Sequence, residues 1–161
     1  MSEILRTTGE GLGISFESLK REVISEIDWH RVDLSGANLD NLSFEGASMR
    51  NSVFDGAQAA KSSFAKANCI MASFRGAVFL NCSFREARLR HADFSGAILR
   101  NVDFSGADIT DAKFNGADVE GSTFVTAQIS GTDFSVVVIF SIHNSQPQLI
   151  TKIPSFDYSQ Y

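Results

Sequence analysis

Phenylalanine stands at every tenth residue from Phe44 to Phe134, through Phe54, Phe64, Phe74, Phe84, Phe94, Phe104, Phe114 and Phe124. Midway between them lie Leu39, Met49, Ala59, Cys69, Phe79, Leu89, Leu99, Ile109, Val119 and Ile129. The underlying period is therefore five, with twenty-one consecutive central residues from Leu34 to Phe134. Period five fits neither a helix, which repeats apolar positions at 3.6, nor a strand, which repeats them at 2. Two residues before each centre the side chain is small, Ala in thirteen cases and mostly Ser, Val, Cys or Thr otherwise. Two residues after it Gly or Asn dominates, as at Gly36, Asn41, Gly46 and Asn51. Two inward residues followed by a residue that tolerates positive φ describe a short extended piece and a tight turn. Repetition of that unit gives a coil that turns a corner every five residues, which is a solenoid. Such a chain spends its residues on a rod and leaves few for a reaction site.

Ala37-Asn38-Leu39, Ala92-Asp93-Phe94-Ser95-Gly96 and Ala107-Asp108-Ile109 resemble the repeat of the pentapeptide-repeat family, Ala-(Asp/Asn)-(Leu/Phe)-X-X. The resemblance covers about residues 32 to 136. It implies an all-β fold, a right-handed quadrilateral β-helix with four repeats per coil and about five coils here. Spacing alone gives the solenoid and leaves its handedness open. With four faces, the Phe series falls on two opposite faces and the aliphatic series on the other two. Residues twenty apart then stack in neighbouring coils, roughly 4.8 Å apart as adjacent strands are. Ala59 and Cys69 are undersized centres, and Phe79, oversized for its series, is expected to lie over Ala59 and fill the gap.

The chain reads as one solenoid with two flanking segments: an arm and capping helix over 1–28, repeats over 29–140, and a tail over 141–161. Phe16, Leu19, Val23, Ile24 and Ile27 recur at helical spacing, Ser15 suits the N-cap, and residues 15–27 are expected to form a helix. A solenoid must cover its open apolar end, so this helix is expected to be a cap, with partner binding as the other reading. Trp29 falls in register as a degenerate first centre. Val136-Val137-Val138-Ile139-Phe140 continues as an extended apolar piece, Ile139 still in register, and the pattern fails at Asn144. The tail carries both prolines, Pro147 and Pro154. Either it folds back over the last coil or a second chain covers it, and relatives that dimerise at this end favour a homodimer. Met1-Ser2-Glu3-Ile4 opens no signal peptide and no apolar run is long enough to span a bilayer, so a cytoplasmic, non-membrane location is expected. Cys69 and Cys82 read as buried free thiols of a reducing compartment.

No catalytic, cofactor-binding or metal-binding residues are expected, and the chain reads as a non-enzyme. His91 and Asp93 are near neighbours, but no nucleophile stands at a defined spacing and His91 occupies a corner position. Asp93, Lys113 and Asp133 form one column, and a lysine between two aspartates argues against a calcium ladder.

Charge is zoned along the chain. Residues 32–55 carry four acids and one base, residues 56–92 six bases and one acid, and residues 93–136 seven acids and two bases. Arg75, Arg85 and Arg90 follow different centres and are expected to form a belt. Known members of the family imitate duplex DNA and bind type II topoisomerases such as gyrase, sometimes protecting them from quinolones. Duplex DNA carries about one charge per 1.7 Å, so a rod of about 25 Å needs roughly fifteen. The net charge of the whole chain is −5, and the basic waist opposes mimicry. Direct nucleic-acid binding is disfavoured by the same sign of charge. Val78, Leu80 and Ile98 occupy normally polar flanking positions on the Phe79–Leu99 face, one coil apart, with Ala60 extending the patch. They are the candidate binding patch for an as yet unidentified protein partner. The competing reading places the N-terminal arm or the tail over it.

Overall fold

Five-residue units close into a square coil because each supplies one wall and one corner. In the computed structural model, parallel bridges join residues twenty apart along the rod, among them Asp33 to Val53, Ser73 to Asp93 and Lys113 to Asp133. Four units therefore make one coil. The structure describes residues 29–135, Ile24, and the backbone of 139–143 and 146–150. Backbone bonds run between successive coils: Phe44 N donates to Ser63 O at 2.7 Å and Val53 N to Val32 O at 2.9 Å. Three walls of one face are regular enough to form strands, β1 (Gln58–Ala60), β2 (Val78–Leu80) and β3 (Ile98–Arg100). They pair in parallel, Gln58 to Val78 to Ile98 and Ala60 to Leu80 to Arg100.

The centres point inward and build the core. Phe44, Phe64, Phe84, Phe104 and Phe124 stack face to face with centroids 4.8–5.3 Å apart. Phe54, Phe74, Phe94, Phe114 and Phe134 form a second column at 4.6–5.1 Å. The columns meet edge to face down the middle of the rod, as between Phe84 and Phe94 at 5.7 Å. Each ring thus joins stacked and T-shaped contacts, both favoured by the aromatic quadrupole. Burying one such ring contributes about 2–3 kcal/mol. Phe79 is paired directly with Ala59 and is fully buried. Its ring meets Phe64, Phe74 and Phe84 edgewise at 5.4–5.7 Å. The large ring therefore fills the space that the small neighbour leaves.

Every corner from Arg31 to Gly131 has positive φ, between 53° and 71°. Gly and Asn are suited to it, but so placed are also Arg31, Lys61, Lys66, Met71, Glu86, His91, Asp111 and Thr126. The coil geometry imposes the left-handed conformation on whatever residue stands there, at a cost of roughly 1 kcal/mol for an ordinary side chain. Thr126, β-branched, is the least suited of them. Thr126→Gly is expected to raise stability by about 1 kcal/mol, or roughly 2–4 °C in Tm. Thermal denaturation of the variant checks it, and an unchanged or lowered Tm counts against corner strain.

Two further devices hold the coils. The small inward position is a hydroxyl or thiol at several places, and it reaches a carbonyl of the preceding coil. Ser62 Oγ donates to Leu39 O at 2.6 Å, Cys82 Sγ to Ala59 O at 3.1 Å and Ser122 Oγ to Leu99 O at 2.5 Å. Thr132 Oγ1 does the same to Ile109 O, and Ser52 Oγ to Trp29 O. The Asp or Asn before a centre takes the backbone N–H two residues on. Asp93 accepts from Ser95 at 2.9 Å, Asp103 from Ser105 at 2.8 Å and Asn38 from Asp40 at 2.9 Å. These are local side-chain turns. Where Ser35 and Ser135 donate in this way, the Asp33 and Asp133 carboxyls titrate below the usual carboxylate range. What these bonds stabilise is present above the unfolded carboxylate range and is lost as pH falls through the lowered folded values.

At the N-terminal end Trp29 is the first centre. It is buried, meets Phe44 edge to face at 5.6 Å and donates its Nε1 to Ile24 O at 2.8 Å. Ile24 is helical and buried; the rest of the expected 15–27 helix lies outside the described residues. At the other end β4 (Ile139–His143) pairs antiparallel with β5 (Gln146–Ile150), with Ile139 opposite Ile150 and His143 opposite Gln146. Ile139 and Phe140, the end of the apolar run, thus lie in an antiparallel strand pair.

Candidate interaction faces

With the centres inside, any site must be built from the flanking and corner residues of the walls. On the β1–β3 face the outward residues before the centre run Asn38, Gln58, Val78, Ile98, Asp118, and those after it Asp40, Ala60, Leu80, Arg100, Glu120. Val78, Leu80 and Ile98 therefore share one sheet, Val78 paired with Ile98 and Leu80 directly above Ala60. Ile98 is 38 % exposed, and Val78, Leu80 and Ala60 are half-buried. Polar groups bound the strip at both ends. Arg100 Nε lies 2.7 Å from Asp118 Oδ2 and 3.6 Å from Glu120 Oε2, and Asp118 is 6 % exposed. The bond to Asp118, and its charge, push the Arg100 guanidinium above its ordinary range. At the other end Asp40 Oδ1 accepts the Ala60 N–H at 2.7 Å.

The opposite face has another character. Its centres are Trp29, Met49, Cys69, Leu89, Ile109 and Ile129, and its outer surface gathers Arg31, Arg50, Arg88, Arg90 and His91, all exposed. Between Arg50 and Arg90 lie half-buried Ile70 and, at the corner, Met71, 55 % exposed. Among the described residues, acids enter this face one coil further, where Asp108 is bridged to Arg88 and Asp111 Oδ2 stands 3.8 Å from His91 Nδ1. Among the described residues Arg31, Arg50, Arg88 and Arg90 take part in no ion pair. Arg75, Arg85 and Arg90 do lie on three different faces, as a belt. A count along the chain missed that Arg50, from the acidic first zone, and Arg31, just before it, share a face with Arg88 and Arg90. The signal was the register: Arg50 and Arg90 are two full coils apart.

The structure sets the two nearest catalytic candidates, His91 and Asp93, on different parts of the coil. His91 is a corner residue, φ 57°, directed to Asp111, whereas Asp93 lies on the next wall and serves the Ser95 turn. Asp93, Lys113 and Asp133 form a bridged column with the lysine in the middle. Among the described residues no group of three or more His, Cys, Asp and Glu is placed to hold a metal ion. Both cysteines are free and buried. Burial pushes the Cys69 thiol up to about 12 and also raises Cys82, against the pull of neighbouring backbone bonds. Neither is a ready nucleophile. Among the described residues no helix is long and apolar enough to cross a membrane.

Comparison with known proteins agrees with this architecture. The family model for pentapeptide repeats matches in eight copies, over residues 30–64, 62–101, 87–124 and 103–135. Among solved structures the chain is similar to the pentapeptide repeat protein Rfr23 from the cyanobacterium Cyanothece 51142, at 20 % identity and TM-score 0.48, covering 63 % of each chain. It is also similar to a pentapeptide repeat protein of the Arabidopsis thaliana thylakoid lumen, at 26 % identity and TM-score 0.31, covering 82 % of this chain and 81 % of that one. QnrB1, a plasmid-mediated fluoroquinolone resistance protein, matches at 25 % identity and TM-score 0.39, covering 63 % of this chain and 64 % of that one. The chain thus spans less than two thirds of that Rfr23 chain and of that QnrB1 chain. No curated protein sequence matches it significantly. With its repeats matched from residue 30 to residue 135, the chain belongs to the pentapeptide-repeat family, and its square coil is that family's right-handed β-helix.

Proposed function

We propose that the protein is a non-enzymatic scaffold that binds a protein partner through the β1–β3 face. The observation that carries this reading is the apolar strip Val78, Leu80 and Ile98 on a three-stranded parallel sheet, at positions that along the rod are mostly polar. A contiguous apolar strip within a polar rim is what a contact surface needs. Arg100, Asp118 and Asp40 supply that rim. The topoisomerase-binding mimic of duplex DNA is the weaker reading, because the opposite face presents arginines where a mimic requires carboxylates.

Leu80→Asp tests the proposal. Its side chain lies outside the coil, so the far-UV spectrum is expected to stay unchanged. Affinity capture from lysate followed by mass spectrometry is expected to recover with the native protein a partner that the variant loses. Recovery of the same proteins in the same amounts by both would remove the strip from the account.

A further inference from the structure

We propose that the face opposite, built on Met49, Cys69 and Leu89, binds an acidic polypeptide segment that carries an apolar side chain between its carboxylates. The inference is independent of the β1–β3 strip. Arg50 stands one coil before Ile70, and Arg90 one coil after it, so the two cations are separated by about 10 Å along the rod. Arg88, beside Arg90, adds a third, and Arg31, at the corner one coil before Asn51, a fourth. Ile70 and the exposed Met71 lie between them, and methionine adapts its shape to varied apolar partners. An extended peptide advances roughly 3.3 Å per residue and turns every second side chain to the same side, so two carboxylates four residues apart face the wall together, about 13 Å apart, within reach of the long side chains of Arg50 and Arg90. A residue between them then lies over Ile70 and Met71. Guanidinium groups bind carboxylates by paired hydrogen bonds.

A short acidic peptide fits this face better than a nucleic acid does. The basic stretch ends at Asp108 and Asp111, which would repel a phosphate backbone continuing along the rod. A nucleic acid also has no use for the apolar centre, and the chain as a whole is negative, −5. Asp108 and Asp111 limit the partner to an acidic segment about three coils long.

The test is fluorescence anisotropy with a labelled peptide, Asp-Glu-Ser-Leu-Asp-Glu, titrated with the full-length protein at low salt. Saturable binding is expected, weakening as salt is raised because exposed charges are screened. Arg50→Glu combined with Arg90→Glu is expected to weaken it at least roughly tenfold, as reversal of facing charges does. A peptide with Asn and Gln in place of the acids is expected to lose binding to a similar degree, and one with Ser for Leu to bind several-fold less tightly. If the reversed double variant fails to fold, Arg50→Gln with Arg90→Gln serves instead and is expected to give a smaller loss in the same direction. Leu80→Asp is expected to leave peptide binding unchanged, which separates this face from the β1–β3 strip. The proposal is overturned by equal binding of the neutral peptide, by equal binding to the Arg50 and Arg90 variants, or by loss of binding in Leu80→Asp. Tighter binding of a DNA duplex than of the peptide, or no anisotropy change up to about 1 mM protein, also overturns it.

Discussion

Phe94→Asp is expected to unfold the rod, whereas Ser95→Asp, one residue away, leaves it folded. Phe94 stacks on Phe74 at 4.6 Å and Phe114 at 4.8 Å and meets Phe84 and Phe104 edgewise at 5.7 Å. Truncating such a ring to Ala costs about 3–5 kcal/mol through lost burial and the cavity left behind. A carboxylate in its place adds an unpaired charge in an aromatic interior, worth several kcal/mol more. The total is comparable with the whole stability of a typical domain, about 5–15 kcal/mol. Ser95 lies outside the coil, and its substitution touches water. Because stability in a solenoid is shared between neighbouring coils, position along the rod also matters. Phe134→Ala, at the last described centre and half-buried, is expected to cost less than Phe94→Ala. Chemical denaturation of the four variants gives the order; equal effects of Phe94→Asp and Ser95→Asp would show that the ring does not face inward.

A second large effect is expected from Phe79. Phe79→Ala would place two alanines one above the other, between Leu39 and Leu99, and is expected to cost about 4 kcal/mol. Ala59→Phe alone would bring two rings together on this face and cost about 1–3 kcal/mol by overpacking. The double variant exchanges large and small between neighbouring coils, so most of the loss is expected to be recovered. The coupling of the two changes should amount to roughly 3 kcal/mol or more, well outside what independent sites show. Additive costs in the double-mutant cycle would mean that Phe79 does not fill the space above Ala59.

The repeat made much of this fold legible before any coordinates. An unbroken series from Leu34 to Phe134 determines which side chains face inward, and one centre larger than its series beside one smaller pointed to the Phe79–Ala59 fit. The number of faces needed the family resemblance, because a period of five does not say how many corners close a coil. Other features were hidden because they depend on what lies one coil away. The bond from Ser62 to Leu39 O joins residues twenty-three apart, and nothing in the local pattern marks Ser62 as different from the alanines in its place. Lysine, glutamate and threonine at positive-φ corners were equally opaque, since their own preferences oppose the conformation that the coil gives them. The arginine face was readable in principle and was lost by summing charge along the chain instead of every twentieth residue. The strip at Val78, Leu80 and Ile98 was found because its apolar residues break a polar rule.

Disulfide cross-linking tests the central claim, four pentapeptides to each coil, most directly. Gly76 N donates to Ser95 O at 3.1 Å, so residues 75 and 95 lie side by side in adjacent coils. Paralleled backbones about 4.8 Å apart are within the range that a disulfide can bridge. Arg75→Cys with Ser95→Cys is therefore expected to oxidise to a disulfide within the folded chain. Arg75→Cys with Arg90→Cys, the pair that a three-sided coil would stack, is expected to remain reduced. Closure of the 75–90 pair in place of the 75–95 pair would contradict the square coil.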